Sequence, residues 1–189
     1  MTPADRIEAA IPLMNLEERM KGLPPILDAT CGARMMWFDK HNPLALFVDK
    51  KVVPPRMVGN GRNSRIFSVD PDMVVDFTNM PFDDNSFCLV VWDPPHLIRS
   101  GDKAYMTVKY GRLDEHWRDT LRLGFQECMR VLKPGGTLIF KWSEIQIDTA
   151  DAIAAIGQEP LFGHKSGRKM NTHWMTFMKL HDELRTGES

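Results

Sequence analysis

Short apolar runs that end on an aspartate recur along the first half of the chain, and they restrict its possible folds more than any other feature. A short apolar run bounded by proline, glycine or polar residues is typical of a buried strand. Four such runs end at or near Asp28, Asp49, Asp76 and Asp93. We therefore predict four buried strands, each with a carboxylate at its carboxyl end.

Segments with helical patterns alternate with these strands. Apolar residues recur at helical spacing over 114–132, a shorter helix is predicted over 149–156, and residues 33–40 are predicted to begin a helix. Further strands are predicted at 137–142, 159–163 and 172–180, the last two antiparallel. Residues 1–22 are predicted to form one or two short helices, and the composition of residues 54–65 predicts a loop. Strands that alternate with helices imply an α/β fold with a mostly parallel sheet.

Size and composition indicate one domain without a metal site. The chain has 189 residues, a net charge of -1 and three scattered cysteines that lack the spacing of zinc ligands. The cysteines favour a reducing, cytoplasmic location over a disulfide framework. We see no signal peptide and no apolar run of the length needed to span a membrane, so we expect no membrane partner. Any binding to nucleic acid would need a local basic patch.

The strand-end carboxylates indicate the kind of ligand. In an open parallel sheet, ligands bind at the carboxyl ends of the strands near the switch point. Carboxylates there accept hydrogen bonds from ribose hydroxyls and amines, and they repel phosphates. The turn after the first strand, DATCGAR, has a single glycine and lacks a phosphate-binding loop. The sequence therefore predicts a nucleoside ligand without phosphates, which disfavours a nicotinamide dehydrogenase.

Several segments resemble the class I S-adenosylmethionine (SAM)-dependent methyltransferases. Residues 26–32 resemble the first SAM-binding motif of that family, and residues 76–82 resemble its adenine-binding turn. Asp49 follows Asp28 by 21 residues and matches the ribose-binding acid, while residues 130–138 resemble a late helix-to-strand turn. The resemblance implies a doubly wound, Rossmann-like fold with a mostly parallel seven-stranded sheet and an antiparallel C-terminal strand.

The same resemblance implies a cofactor, a site and a domain organisation. The cofactor would be SAM and the product S-adenosylhomocysteine. The methyltransferase domain would span 23–181, with an N-terminal extension at 1–22, a tail at 182–189 and no separate target-recognition domain. The lone Gly32 departs from the family, which often has two or three glycines in this loop. The expected cofactor-binding residues are Asp28, Ala29, Thr30, Gly32, Asp49, Lys50, Asp76, Phe77 and Asp93.

A second motif suggests the methyl acceptor. Asp93, Pro94, Pro95 and His96 resemble the Asp-Pro-Pro-aromatic motif of amino methyltransferases that modify adenine N6 or cytosine N4. A carboxylate and a rigid main-chain carbonyl can accept the two N–H groups of an exocyclic amine and turn its lone pair towards the methyl group; prolines hold such a carbonyl in place. The resemblance makes these four the catalytic residues, although His96 replaces the usual aromatic.

Two basic segments are candidates for contacts with nucleic acid. We hypothesise that residues 97–112 form a lid over the target base, and that a second segment near the C-terminus contacts phosphates. The candidate substrate-contacting residues are Arg99, Lys103, Tyr105, Lys109, Arg112, Lys165, Arg168 and Lys169.

Taken together, the motifs predict a methyltransferase that acts on a nucleobase amine, with adenine N6 in DNA favoured over cytosine N4. RNA or a small molecule as the substrate, and a non-catalytic subunit with the same fold, remain alternatives. Without a target-recognition domain, specificity would come from a homodimer or a separate partner, as in an accessory enzyme of a phage or mobile element.

Overall fold

A computed structural model describes residues 22–59, 61, 64–99, 111–166 and 170–181. The predicted N-terminal helices lie almost entirely outside these residues, as does the tail. Within the described part, no helix is long and apolar enough to cross a membrane. The elements found there are β1 (Ile26–Asp28), β2 (Ala45–Asp49), β3 (Val53–Val58), β4 (Arg65–Val69), β5 (Met73–Val74), β6 (Phe87–Trp92), α1 (Trp117–Val131), β7 (Leu132–Ser143), α2 (Thr149–Ile156), β8 (Phe162–Ser166) and β9 (Thr172–Met178).

Seven of these strands form one sheet in the order β5-β2-β1-β6-β7-β9-β8. Neighbouring strands from β5 to β7 pair in parallel, and β9 pairs antiparallel with both β7 and β8. This confirms the predicted α/β fold with its antiparallel C-terminal strand. The chain moves outward from β1 to β2 and β5 and then returns to β6 on the other side. The switch point therefore lies between the carboxyl ends of β1 and β6.

The main core lies between one face of this sheet and helix α1. Alternate residues of the strands point to this face, because side chains along a strand alternate between its two sides. Leu27, Val90 and Phe140 are fully buried there, and they belong to one cluster with Leu121 and Phe125 of α1. The clustering fixes the strand ends relative to each other, which positions the polar residues that follow them.

The predicted helix over 33–40 is wrong, because this segment forms a series of turns. Arg34 has a left-handed backbone (φ 53°), and its guanidinium donates to the carbonyl of Lys40 at 2.7 Å and to Asp72 at 2.7 Å. Trp37 joins Phe47 in a second cluster on the opposite face of the sheet. These tertiary contacts replace the main-chain hydrogen bonds that a helix would have made.

The predicted loop over 54–65 is also wrong. Strands β3 and β4 form an antiparallel two-stranded ribbon, in which Met57 pairs with Ile66 and Arg56 with Phe67. Pro54 and Pro55 fall where the register shifts between Val53 and Arg56. Proline is tolerated at bulges and on edge strands, so its presence did not prevent a hairpin.

Other boundaries differ from the predicted ones by a few residues. Strand β7 begins at Leu132, directly after α1, and residues 134–136 lie in a register irregularity between β6 and β7. The predicted strand 137–142 is the regular part of β7. The predicted strand at 73–76 shortens to β5, and the one at 159–163 lies slightly later, as β8.

Candidate functional site

A cavity of about 560 Å³ opens at the carboxyl ends of the central strands. It lies at the switch point, where the loop after β1 meets the segment that follows β6. Eight of the twenty predicted site residues line it. The predicted residues in its wall are Thr30, Gly32, Asp49, Lys50, Phe77, Asp93, Pro95 and Arg112.

The loop after β1 is held across two neighbouring strands. Ala29 N–H donates to the carbonyl of Val91 at 2.9 Å, and Cys31 N–H donates to that of Val48 at 2.9 Å. Gly32, at φ 51°, donates its N–H to Oδ2 of Asp49 at 2.9 Å. A positive φ is accessible to glycine without a steric penalty, so this residue lets the loop turn back onto the acid of β2.

Asp28 lies beneath the cavity wall and is fully buried. Its carboxylate accepts a hydrogen bond from the indole Nε1 of Trp37 at 2.7 Å and one from Thr30 N–H at 3.3 Å. Burial raises the pKa of Asp28 to about 7, although these two hydrogen bonds oppose the increase. Asp28, like the buried Ala29, supports the loop and does not line the cavity.

Asp49 lies in the cavity wall itself. Besides Gly32, its carboxylate accepts the N–H of Lys51 at 3.1 Å through Oδ1. Burial raises the pKa of Asp49 despite these hydrogen bonds. A carboxylate has about four lone-pair sites, and the backbone N–H groups of Gly32, Lys50 and Lys51 occupy three of them, so a ligand hydroxyl can still bind there.

Asp76 stays outside the wall, whereas its neighbour Phe77 lines it. The Asp76 carboxylate accepts Nζ of Lys50 at 2.7 Å and both the N–H and the hydroxyl of Thr78. Partial burial would raise the pKa of Asp76, but the bonds from Lys50 and Thr78 outweigh that effect and lower it. The ring of Phe77 packs edge-on against Trp92 at 5.8 Å.

Asp93 connects the two halves of the site. Its N–H donates to the hydroxyl of Thr30 at 2.7 Å, and its carboxylate forms an ion pair with Nζ of Lys141. Nζ of Lys141 also lies 5.7 Å from the ring centroid of Trp174, and both side chains line the cavity.

Lys141 and Trp174 were not among the predicted site residues. The sequence does contain an indication of Lys141, because it is a charged residue within the mostly apolar predicted strand 137–142. Trp174 is the residue of β9 that pairs with it, and nothing in the sequence alone indicated that register. Cys31, Ala33, Met35, Met36, Lys51 and Gly111 complete the wall.

The residues of the Asp-Pro-Pro-His segment separate into two groups. Pro95 lines the cavity with Asp93, whereas Pro94 and His96 are buried outside its wall. Burial lowers the pKa of His96, partly offset by nearby Asp93 and by a hydrogen bond to the backbone of Pro94. Because proline has no N–H, that bond runs from the imidazole to the Pro94 carbonyl. The His96 ring lies edge-on to Trp142 at 6.3 Å and outside the cavity wall, so it is not placed to stack on a ligand in the cavity.

The predicted basic contacts are only partly brought to the site. Arg112 lines the cavity. The carbonyl of Leu97, the first residue of the predicted lid, accepts a 2.8 Å hydrogen bond from the N–H of Leu113, the residue that follows the lid. Arg99 is held through its backbone by Gln146, and Lys165 forms an ion pair with Glu144 at 3.2 Å, both outside the wall. Lys103, Tyr105, Lys109, Arg168 and Lys169 lie outside the described residues.

Comparison with known proteins identifies the fold. No family model and no curated protein sequence matches the chain. A TehB-like SAM-dependent methyltransferase from Corynebacterium glutamicum has 15% sequence identity and a TM-score of 0.50 over 93% of each chain. The chain has a methyltransferase fold. The PH0226 protein of Pyrococcus horikoshii is also similar, with 16% identity and a TM-score of 0.52 over 93% of this chain and 90% of that one. At such identities the shared methyltransferase fold does not identify a substrate.

Proposed function

We propose that this chain is a SAM-dependent methyltransferase that transfers a methyl group to an exocyclic amine of a nucleobase. The observation that carries the proposal is the position of Asp93. Asp93 lies in the wall of the switch-point cavity two residues before Pro95, and its main-chain N–H donates to the hydroxyl of Thr30 in the loop after β1.

The cavity fits SAM in size and in the chemistry of its wall. Its volume falls within the roughly 300–1,000 Å³ of small-molecule sites. Asp49 would accept the ribose hydroxyls, Phe77 and Lys50 would flank the adenine, and the loop from Thr30 to Gly32 would hold the methionine part. When bound, SAM supplies a methyl group on a positively charged sulfur.

Asp93 then orients the acceptor amine. Nζ of Lys141 donates a hydrogen bond to one oxygen of the Asp93 carboxylate and fixes the rotation of that carboxylate. Further lone pairs of the carboxylate can accept an N–H of the amine. A fixed acceptor turns the nitrogen lone pair towards the methyl group, and orientation of this kind can supply several kcal/mol. Lys141 is thus a positioning residue for Asp93.

Two other groups complete the proposed arrangement. By the family resemblance, the Pro94 carbonyl would accept the second N–H of the amine. In this structure that carbonyl lies outside the cavity wall and accepts a hydrogen bond from His96, so it would have to turn towards the cavity. Trp174, in the cavity wall, would stack on the base in place of His96. Stacking of a base on an aromatic side chain is worth roughly 1–3 kcal/mol. The Asp-Pro-Pro segment resembles the motif of amino methyltransferases that modify adenine N6 or cytosine N4, and of these acceptors we favour adenine N6 in DNA.

Methyl transfer from labelled SAM tests the proposal. The substrates are single- and double-stranded DNA, RNA and free nucleosides, with mass spectrometry of the nucleosides to locate the methyl group. Asp93→Ala should lower transfer by about 10²-fold or more, as expected for the loss of an orienting group, and should leave SAM binding measurable by calorimetry. Asp119→Ala, an exposed acid on α1, is the matched control.

The other outcomes identify the alternatives. Transfer to RNA or to nucleosides alone would move the acceptor away from DNA. Binding of SAM without transfer to any substrate would contradict catalysis and favour a non-catalytic subunit.

A further inference from the structure

The β3–β4 hairpin belongs to a basic stretch of the chain. Between Asp49 and Asp70 the sequence contains five basic residues and no acidic one, although the whole chain has a net charge of -1. The hairpin lies in the connection between β2 and β5. Its two strands pair with each other and are not part of the seven-stranded sheet. This local excess of positive charge needs an explanation that the methyl-transfer chemistry does not supply.

Two arginines of the hairpin lie on the same face. Arg56 pairs with Phe67, and Val58 pairs with Arg65, so these four positions alternate with Met57 and Ile66. The arginines are therefore diagonal neighbours, a separation of about 7–8 Å along a two-stranded ribbon. Both are exposed. That spacing lets two guanidinium groups contact neighbouring phosphates of one nucleic-acid strand.

The basic face is continuous with the cavity. Lys50 and Lys51, which immediately precede the hairpin, line the cavity wall. Burial lowers the pKa of Lys51, and the nearby positive charge of Arg56 lowers it further while Asp49 opposes this. The proximity of Arg56 to Lys51 means that the positive charge extends from the cavity along β3 to the exposed ribbon.

We propose that the hairpin face carrying Arg56 and Arg65 binds the phosphodiester backbone of the polynucleotide whose base enters the cavity. The inference rests on the proposed function, since it assigns a polymeric substrate to the same site. Arginine suits this contact because its planar guanidinium binds phosphate oxygens in pairs, and two-stranded ribbons are known to bind in the grooves of nucleic acids. The hairpin would thus hold the backbone while the cavity holds one base.

The test measures binding of fluorescently labelled oligonucleotides by anisotropy at several salt concentrations. The probes are single-stranded DNA, duplex DNA and RNA, which separates the possible sources of the phosphodiester. Each lost phosphate contact should reduce the slope of log affinity against log salt by about 0.7–0.9. We therefore expect the Arg56→Ala/Arg65→Ala double variant to lose about 1.4–1.8 of that slope and to bind at least tenfold more weakly at low salt.

Two further variants control for folding and for total charge. Arg122→Ala/Lys133→Ala removes two positive charges from α1 and from the amino end of β7, and it should bind like the wild type. Arg56→Lys/Arg65→Lys keeps the charge and should recover most of the salt slope. All three should bind SAM like the wild type in calorimetry, which shows that the cavity is intact.

The results separate this inference from the proposed function. Equal binding by the Arg56/Arg65 alanine variant and by the control overturns the hairpin contact, even if the wild type methylates DNA. A wild type that binds no probe also overturns it, while methylation of free nucleosides would then still support the amine chemistry. A loss of binding that the lysine variant does not share, with SAM binding unchanged, supports the inference.

Discussion

At the scale of single residues, the four aspartates at the strand ends have different roles. Asp28 supports the loop from below, Asp49 faces the cavity, Asp76 holds Lys50, and Asp93 bonds to Lys141. Their position at one sheet edge was predictable because the carboxyl ends of parallel strands meet there. Their burial and their access to the ligand depend on partners elsewhere in the sequence, such as Trp37 and Lys141. These partners cannot be predicted from the local sequence around each aspartate.

Buried Asp28 should make stability depend on pH. Its pKa in the folded protein is about 7, against an ordinary value of 3.8, so the folded state holds this proton more tightly between those values. The free energy of unfolding should therefore fall as pH rises through this window, by at most about 1.4 kcal/mol per pH unit. We expect Asp28→Asn to flatten that decline in urea unfolding between about pH 5 and 7. Asp119→Asn is the control, and an unchanged slope in Asp28→Asn would contradict the prediction.

Loss of Lys141 should reduce catalysis more than cofactor binding. Lys141→Met removes the group that fixes the Asp93 carboxylate, and a small misplacement of an orienting group can lower the rate by about 10²-fold. We expect kcat to fall by that order, while the Kd for SAM changes only a few-fold. Lys141→Arg should retain most of the activity because it keeps the charge. Lys133→Met, at the exposed opposite end of the same strand, should behave like the wild type; equal activity of the two methionine variants would exclude a positioning role.

At the scale of elements, one glycine lets helix α1 approach the cavity wall. A methyl group on Gly124 would lie 2.6 Å from the ring of Phe77 and 2.9 Å from Trp92. Phe77 can therefore line the cavity only because α1 has no side chain at this position. The helical pattern predicted α1, but it did not predict that a glycine in the middle of the helix shapes the cofactor site.

We expect Gly124→Ala to be destabilising, although alanine is the better helix former. The overlap with two aromatic rings should cost about 1–3 kcal/mol, against a gain of about 1 kcal/mol in helix propensity. The displaced Phe77 should also weaken SAM binding several-fold in calorimetry. Leu123→Ala, which is 42% exposed on the same helix, should change stability by less than about 0.5 kcal/mol. If Gly124→Ala were as stable as this control, Phe77 would not be held by close packing.

The two elements that sequence reasoning missed share a physical cause. The turns at 33–40 are stabilised by Arg34 and Trp37, whose partners lie on other segments. The β3–β4 hairpin depends on cross-strand pairing, whereas the prolines and glycines of this segment are typical of a loop. The strands of the main sheet were easier to predict because buried strands consist of continuous or alternating apolar residues, and this pattern is visible in the sequence.

At the scale of the whole molecule, the cavity should couple ligand binding to global stability. A ligand at 100 times its Kd stabilises a folded protein by about 2.7 kcal/mol, and each kcal/mol raises the Tm of a chain of this size by about 2–4 °C. We therefore expect SAM or S-adenosylhomocysteine to raise the Tm by roughly 5–10 °C.

Two comparisons show whether this stabilisation comes from the proposed site. NAD should leave the Tm unchanged, since the loop after β1 lacks a phosphate-binding sequence. Asp49→Asn should show a smaller shift with SAM than the wild type. A Tm raised by NAD and not by SAM would contradict the proposed cofactor.

The hydrogen bond between Asp93 N–H and the Thr30 hydroxyl has a thermodynamic consequence. It links the loop proposed to hold the cofactor with the segment proposed to hold the acceptor, so a shift of one displaces the other. Two ligands whose sites share such a link should bind cooperatively, and the coupling free energy must be the same in both directions. The cofactor should thus raise the affinity for the acceptor by the same factor by which the acceptor raises the affinity for the cofactor.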